Sequence, residues 1–279
     1  MGTLHTIRLG NGSWPFPFAE VPPATQLTIP TNSCATNKVG DLHLLVMGYE
    51  SVGAGLFLKL RHTVRLANGN WPHPFGDVQA AINQGNIQIA ERYDVIACAT
   101  NQGGDLHLLV IDASLKLWHT VRLANGDWPY PFGDVQAAIN QGNIGQISAV
   151  ACATDQTGDL HVCVRDSNDT LRHTIRLANG SWPYPFGDVQ AAINQGNIGQ
   201  ISAVACATDQ TGDLHICVRD STGKLRHTIR LANGDWPHPF GDIEAAINQG
   251  NIGQIFDIAC ATNQAGDLHV CATNGVFIT

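Results

Sequence analysis

A five-fold internal repeat runs through the whole chain of 279 residues. One repeated block reads His-Thr-Ile/Val-Arg-Leu-x-Asn-Gly-x-Trp-Pro-x-Pro-Phe and begins at His5, His62, His119, His173 and His227. A second block reads Cys-Ala-Thr-x-x-x-Gly-Asp-Leu-His and begins at Cys34, Cys98, Cys152, Cys206 and Cys260. The copies of the first block are spaced 54 to 57 residues apart. A period of this length predicts one supersecondary unit per copy, because such a unit buries its apolar face against its neighbours.

Each copy reads as four short strands. In the third full copy, Ile147–Thr154 is apolar and rich in small residues, which suits an inner strand. Segments 160–165 and 171–177 alternate between apolar and polar residues and are separated by turn residues. Segment 182–189 is predicted as the outermost strand, since its two prolines are tolerated only at a sheet edge. Segment 188–197 then links to the next copy and is predicted to form a single helical turn.

Four strands per repeat predict an all-β fold, a five-bladed β-propeller whose blades are four-stranded and antiparallel. We expect one domain over residues 1–279. The chain begins and ends in the middle of a repeat, so the N- and C-terminal strands are expected to pair in one blade. Such pairing closes the ring and removes the exposed sheet edges of an open array. Segments 4–8 and 276–279 compete for the third strand of that blade.

The charge balance narrows the range of partners. The net charge is −8 and the sequence has no cluster of Lys or Arg, which argues against nucleic acid and anionic membranes. No apolar run is long enough to insert into a membrane. No basic-then-apolar leader is visible, so we expect a protein that is cytoplasmic or secreted without a signal peptide.

Cysteines and histidines recur in a pattern that invites a metal hypothesis. In the third full copy the turn is predicted to place Cys152 opposite Cys163, with His161 and His173 nearby. These are the ligand types that zinc prefers. Leucine replaces the second cysteine in two other copies, at Leu45 and Leu109. We therefore expect no metal and no cofactor, and buried, reduced thiols that fill the blade interiors.

The sequence offers little support for catalysis. It contains no Gly-x-Ser-x-Gly motif and no Gly-rich phosphate loop. Nearly identical blades favour several equivalent binding sites over one active site built from unlike residues. We expect a protein that is not an enzyme and that gains strength from multivalent contacts.

Sugars fit such sites, because their C–H faces pack on aromatic rings and their hydroxyl groups need fixed donors and acceptors. The repeated tryptophan either stacks on a sugar or covers the gap between neighbouring blades. Phe186 and its equivalents are expected to be structural, and the variable aromatic or His two residues after each tryptophan is expected to be exposed. The candidate sugar-binding residues are Trp71, Trp128, Trp182, Trp236, Arg122, Arg176, Arg230, His119, His173, His227, Tyr130, Tyr184, His238, Asn140 and Asn194.

The run Gly-Asp-Leu-His-Val-Cys-Val-Arg-Asp-Ser-x-x-x-Leu-Arg-His-Thr-Ile-Arg, followed by Gly-Ser/Asp-Trp-Pro-x-Pro-Phe-Gly-Asp-Val, resembles the blades of tectonin- and tachylectin-type β-propeller lectins. The segment 117–119, Leu-Trp-His, matches the family's form literally, and the resemblance covers the whole chain. It implies shallow sugar pockets between adjacent blades, at most one per blade, for N-acetylated hexosamines, fucose or methylated sugars. Departures at 19–23, 48–58 and 87–92 put the neighbouring sites in doubt.

Taken together, the sequence predicts a multivalent lectin with up to five similar sites between blades. The preferred ligand is an N-acetylated hexosamine (N-acetylglucosamine or N-acetylgalactosamine), or else fucose, carried on glycans or glycoproteins. The alternative is a non-catalytic scaffold for protein–protein interactions. The two differ in whether the repeated Trp, Arg and His side chains converge on pockets open to solvent. The oligomeric state stays open.

Overall fold

The computed structural model of the chain describes residues 4–5, 19–20, 31–52, 55–82, 87–89, 95–139, 144–193, 198–247 and 254–275. In these ranges the regular structure consists of β-strands and four single-turn helices. The first two strands, β1 (Leu4–His5) and β2 (Ala19–Glu20), form a two-stranded antiparallel sheet.

Four four-stranded sheets follow, and we call them blades 1 to 4. Blade 1 consists of β3 (Thr31–Thr36), β4 (Leu42–Val52), β5 (Gly55–Arg65) and β6 (Gly76–Asp77), followed by α1 (Val78–Ala81). Blade 2 consists of β7 (Ile96–Thr100), β8 (Leu106–Ile111), β9 (Leu117–Arg122) and β10 (Gly133–Asp134), followed by α2 (Val135–Ala138). Blade 3 consists of β11 (Ile147–Thr154), β12 (Leu160–Asp166), β13 (Leu171–Arg176) and β14 (Gly187–Asp188), followed by α3 (Val189–Ala192). Blade 4 consists of β15 (Ile201–Thr208), β16 (Leu214–Asp220), β17 (Leu225–Arg230) and β18 (Gly241–Asp242), followed by α4 (Ile243–Ala246). The last sheet pairs β19 (Gln254–Thr262) with β20 (Leu268–Gly275).

Strand order follows chain order in every blade, and all pairs are antiparallel. The predicted strands are therefore confirmed, with one correction. The outermost strand is β14, only two residues long, whereas we expected the whole of 182–189. Pro183 and Pro185 lack the N–H groups that a longer ladder needs. Asp188 then caps α3 by accepting a hydrogen bond from the backbone N–H of Ala191, at 2.9 Å.

The predicted pairing of Cys152 with Cys163 is wrong. Cys152 lies opposite Val162, and Cys163 lies opposite Ala151. The reason is the turn, in which one Asp155 oxygen accepts hydrogen bonds from the N–H groups of residues 157 and 159. The resulting loop has five residues, so the register shifts by one and the two thiols point to opposite faces of the sheet.

The innermost strands of successive sheets contact one another, and apolar side chains fill the space between the sheets. All five innermost strands, β3, β7, β11, β15 and β19, line one cavity of about 780 Å³. Threonine hydroxyl groups join these strands, each donating to the carbonyl of its counterpart one blade earlier. Thr154 donates to Thr100 at 2.6 Å, and Thr208 donates to Thr154 at 2.5 Å.

This arrangement is consistent with a five-bladed β-propeller. Strands β1–β2 and β19–β20 form two separate sheets among the described residues, so pairing between the terminal strands stays a prediction. Segment 276–279 and most of 4–8 lie outside the described residues. None of the helices in the described ranges is long and apolar enough to cross a membrane.

Replacing Thr154 by valine tests the threonine contacts between blades. The change keeps the shape of the side chain but leaves the Thr100 carbonyl without its donor, which should cost about 1 kcal/mol in the free energy of unfolding. Urea denaturation measures it. Thr170→Val is the control, since no hydrogen bond of the Thr170 hydroxyl is found among the described residues. Equal stability of both variants would contradict the role given to Thr154.

Candidate functional site

The predicted site residues meet at the junctions between adjacent blades. We name each junction by its blades, so that junction 2/3 lies between blades 2 and 3. Three junctions fall within the described residues. Junction 1/2 contains His43, His62, Arg122 and Trp128; junction 2/3 contains His107, His119, Tyr130, Arg176 and Trp182; junction 3/4 contains His161, His173, Tyr184, Arg230 and Trp236.

A stacked pair of imidazole rings forms the floor of each junction. In junction 2/3 the rings of His107 and His119 lie 5.3 Å apart, and Nδ1 of His107 is 3.1 Å from Nε2 of His119. His107 comes from the Gly-Asp-Leu-His block and His119 from the His-Thr block. Strands β8 and β9 place both rings on one sheet face, with His107 opposite Val121 and His119 opposite Leu109. The same pair recurs as His43–His62, His161–His173 and His215–His227.

The tryptophan of the next blade packs edge-on against this pair. The ring of Trp182 lies 5.7 Å from that of His119 at 85°, and Trp236 lies 5.9 Å from His173 at 84°. Both tryptophans are half-buried and also contact the apolar core. The ring therefore covers the gap between blades and keeps part of its surface in solvent, and its stacking on a sugar stays a prediction.

An arginine of the next blade also faces each histidine pair. The Arg176 guanidinium is half-buried, and its Nη2 lies 3.2 Å from where a Cβ on Gly180 would be. Gly180 has φ of +95°, so the Asn-Gly turn requires glycine both for its backbone and for the arginine above it. Within the part of the chain that the structure describes, Arg122, Arg176 and Arg230 form no ion pair. Their N–H donors are therefore free of carboxylate partners.

The second aromatic residue lies at the open side of the junction. Tyr130 is 57% exposed and Tyr184 is 53% exposed, and His73 and His238 are also exposed, as predicted. A buried threonine holds the loop, since the Thr174 hydroxyl donates to the carbonyl of Tyr184 at 2.6 Å. Phe132, Phe186 and Phe240 are buried, which confirms their structural role.

Six of the paired histidines have a lowered pKa and are uncharged at neutral pH: His43, His62, His107, His119, His173 and His227. Burial, reinforced by the nearby positive charge of Arg176, lowers the pKa of His107 to about 4 and that of His119 well below 6.5. Burial, the companion ring and Arg122 lower the pKa of His62 to about 3. His119 and His173 are at most 9% exposed, so they support the pocket from below and are not open contact residues.

Not every candidate residue is placed. Asn140 and Asn194 lie outside the described residues, as does the tryptophan expected at the junction that follows His227. Trp71 packs against Leu44 and Val46 of blade 1. The Gly-Asp-Leu-His histidines also lie at each described junction, although they were not among the candidate sugar-binding residues. The sequence could have shown this, because the Gly-Asp-Leu-His histidines recur in register with the His-Thr histidines.

The central cavity carries a ring of thiols. Cys34, Cys98, Cys152, Cys206 and Cys260 all line it. Burial raises the pKa of the Cys98 thiol to about 12, which keeps it protonated. Among the described residues no three His, Cys, Asp or Glu side chains are grouped to hold a metal ion.

Solved structures share this fold. AofleA from Arthrobotrys oligospora has a TM-score of 0.61 and 10% identity, over 94% of this chain and 70% of that one. The lectin BP39L from Burkholderia pseudomallei has a TM-score of 0.55 and 13% identity, over 90% and 68%. A mutant of Aleuria aurantia lectin in complex with α-methyl-L-fucoside has a TM-score of 0.53 and 13% identity, over 90% and 74%. An α-L-arabinanase from Penicillium chrysogenum is a further neighbour, with a TM-score of 0.52.

These likenesses show a β-propeller fold. No protein-family model matches the chain, and no curated protein matches it significantly in sequence.

Acidification should destabilise the protein through the histidine pairs. A histidine whose folded pKa is lowered favours the fold fully above the unfolded value of 6.5, and this stability is lost as the pH falls below it. His43 and His107, with folded values of about 4, should each cost up to about 1.4 kcal/mol per pH unit between pH 6.5 and 4. Urea denaturation at pH 7, 6 and 5 measures the loss. His73→Gln, which removes an exposed imidazole outside the pairs, should follow the wild-type curve, and a stability independent of pH would refute the account.

Proposed function

We propose that the protein is a multivalent carbohydrate-binding lectin with one sugar site at each junction between blades, up to five in all. The observation that carries the proposal is the combination found at junction 2/3. An arginine with no ion-pair partner among the described residues, a partly exposed tryptophan and an exposed tyrosine surround a floor of neutral imidazole rings. Aromatic faces suit the C–H surface of a sugar, and the guanidinium donors suit its hydroxyl oxygens.

The sugar itself is proposed as an N-acetylated hexosamine or fucose. Lectins are among the proteins that share the fold, and one of them is in complex with a fucoside, which supports fucose. The apolar methyl group of either sugar, on the acetamide or on C6, would suit the half-exposed tryptophan ring. Glycans and glycoproteins are the proposed partners.

A protein–protein scaffold is the second candidate. The open tyrosines and histidines at the junctions would also suit a protein surface, since aromatic residues are enriched in interfaces. The lectin is favoured because one small set of groups recurs at every described junction. This set is a tryptophan, an arginine and a pair of imidazole rings.

We propose no enzymatic activity, although an arabinanase shares the fold. Most glycosidases use a pair of carboxylates that flank the bond to be broken. Among the described residues that line the central cavity, Asp257 is the single carboxylate.

A glycan array followed by binding to a surface coated with the best sugar tests the proposal. Arg176→Ala should weaken surface binding, and the triple change of Arg122, Arg176 and Arg230 to alanine should abolish most of it, because avidity depends on several sites engaging together. Lys116→Ala is the matched control, since this exposed cation pairs with Asp134 away from the junction pockets. An empty array with folded protein would favour the scaffold.

A further inference from the structure

The three described junctions differ in charge although their aromatic and imidazole groups are alike. Two positions near each arginine vary between copies. The first is the residue that begins the turn before each Gly-Asp-Leu-His: Asn37, Asn101 and Asp155 at junctions 1/2, 2/3 and 3/4. The second is the residue that precedes each tryptophan: Asp127, Ser181 and Asp235, in the same order. Junction 2/3 therefore has no aspartate at either position, junction 1/2 has one and junction 3/4 has two.

Junction 3/4 shows how the first position acts. Asp155 Oδ2 lies 3.5 Å from Nε2 of His161, which stacks on His173. Burial opposes ionisation of Asp155, yet the nearby His161 ring and hydrogen bonds from Thr157 and the backbone N–H of Asp159 outweigh it and lower its pKa to about 2. The carboxylate is therefore charged at neutral pH. The Arg230 guanidinium interacts electrostatically with this carboxylate and with that of Asp235.

Junction 2/3 lacks these charges. Asn101 is neutral, so Nε2 of the buried His107 has no carboxylate at the position that Asp155 takes beside His161. Among the described residues, neither of these two Nε2 atoms has a hydrogen-bond partner. Ser181 is neutral as well, so the Arg176 guanidinium faces Tyr130 and no aspartate at the two variable positions. The aspartate of the Gly-Asp-Leu-His block does not distinguish the two junctions. It is present in both copies, where Asp105 and Asp159 each accept a hydrogen bond from the facing turn.

We propose that junction 2/3 binds the anionic substituent, a sulfate or carboxylate, of an acidic glycan on Arg176, whereas junction 3/4 selects neutral sugars. Junction 1/2 has one aspartate at the two variable positions, so its preference should be intermediate. The inference rests on the proposed lectin function and refines it. A guanidinium binds a sulfate or carboxylate with two parallel N–H···O contacts, which a neutral hydroxyl group does not offer. The binding sites of a single protein would thus differ in charge from one junction to the next.

The test exchanges the variable residues between junctions. Each residue introduced already occurs at the same position of another copy, so the repeat accommodates it. In a background in which the arginines of the other four copies are changed to alanine (Arg8, Arg65, Arg122 and Arg230), junction 2/3 is titrated with N-acetylglucosamine and its 6-sulfate, and with L-fucose and its 4-sulfate. Adding Asn101→Asp and Ser181→Asp should lower the affinity for the sulfated sugar about tenfold, from two like charges near the ligand, and change that for the neutral sugar less than twofold.

Two further variants complete the design. In a background in which Arg8, Arg65, Arg122 and Arg176 are changed to alanine, Asp155→Asn with Asp235→Ser should raise the affinity of junction 3/4 for the sulfated sugar. Asn168→Asp adds a charge in the exposed turn between β12 and β13, at the opposite end of these strands from Arg176, and should change neither affinity. Binding of the neutral sugar with no preference for its sulfate, or equal losses for both, would overturn this inference alone. Binding of none of the four sugars would overturn the proposed function too.

Discussion

The contact on which the junctions depend is the stacked pair of buried imidazole rings. The two rings satisfy one ring nitrogen of each other at 3.0 to 3.1 Å, which allows them to be buried where the strands of one blade meet the next. Burial of a charged pair would cost far more, and the arginine beside them disfavours protonation further. The tryptophan of the following blade then rests on this neutral floor, so the same contact that joins the blades also shapes the pocket.

The same arrangement leaves the N–H donors of the arginine available to a ligand. Because the histidines stay neutral and no carboxylate pairs with it among the described residues, the guanidinium keeps its donors available at the edge of the pocket. The Asn-Gly turn beneath it leaves room for this position, since glycine has no Cβ to displace the guanidinium. Backbone geometry, packing and charge therefore converge at one small group of atoms in each copy.

Much of this could be predicted from the sequence, for physical reasons. The period of the repeat and the alternation of residues along 147–176 determine the strands, and β11 has the predicted bounds. The exposure of Tyr130 and Tyr184 followed from their variability between copies. The register at Cys152 could not be predicted, because it depends on how Asp155 folds the turn. The length of β14 depended on lost N–H donors at two prolines. The meeting of Arg176 with His107 involves two different blades, and one repeat read alone does not show which neighbours touch.

The most direct test of the account is a crystal structure of the protein soaked with the sugar that it binds best. We expect sugar density at junction 2/3, against the ring of Trp182. One sugar oxygen should lie within hydrogen-bond distance of the Arg176 guanidinium, with Tyr130 alongside. Density in the central cavity, or on a surface away from the junctions, would contradict the assignment of the junctions as the binding sites.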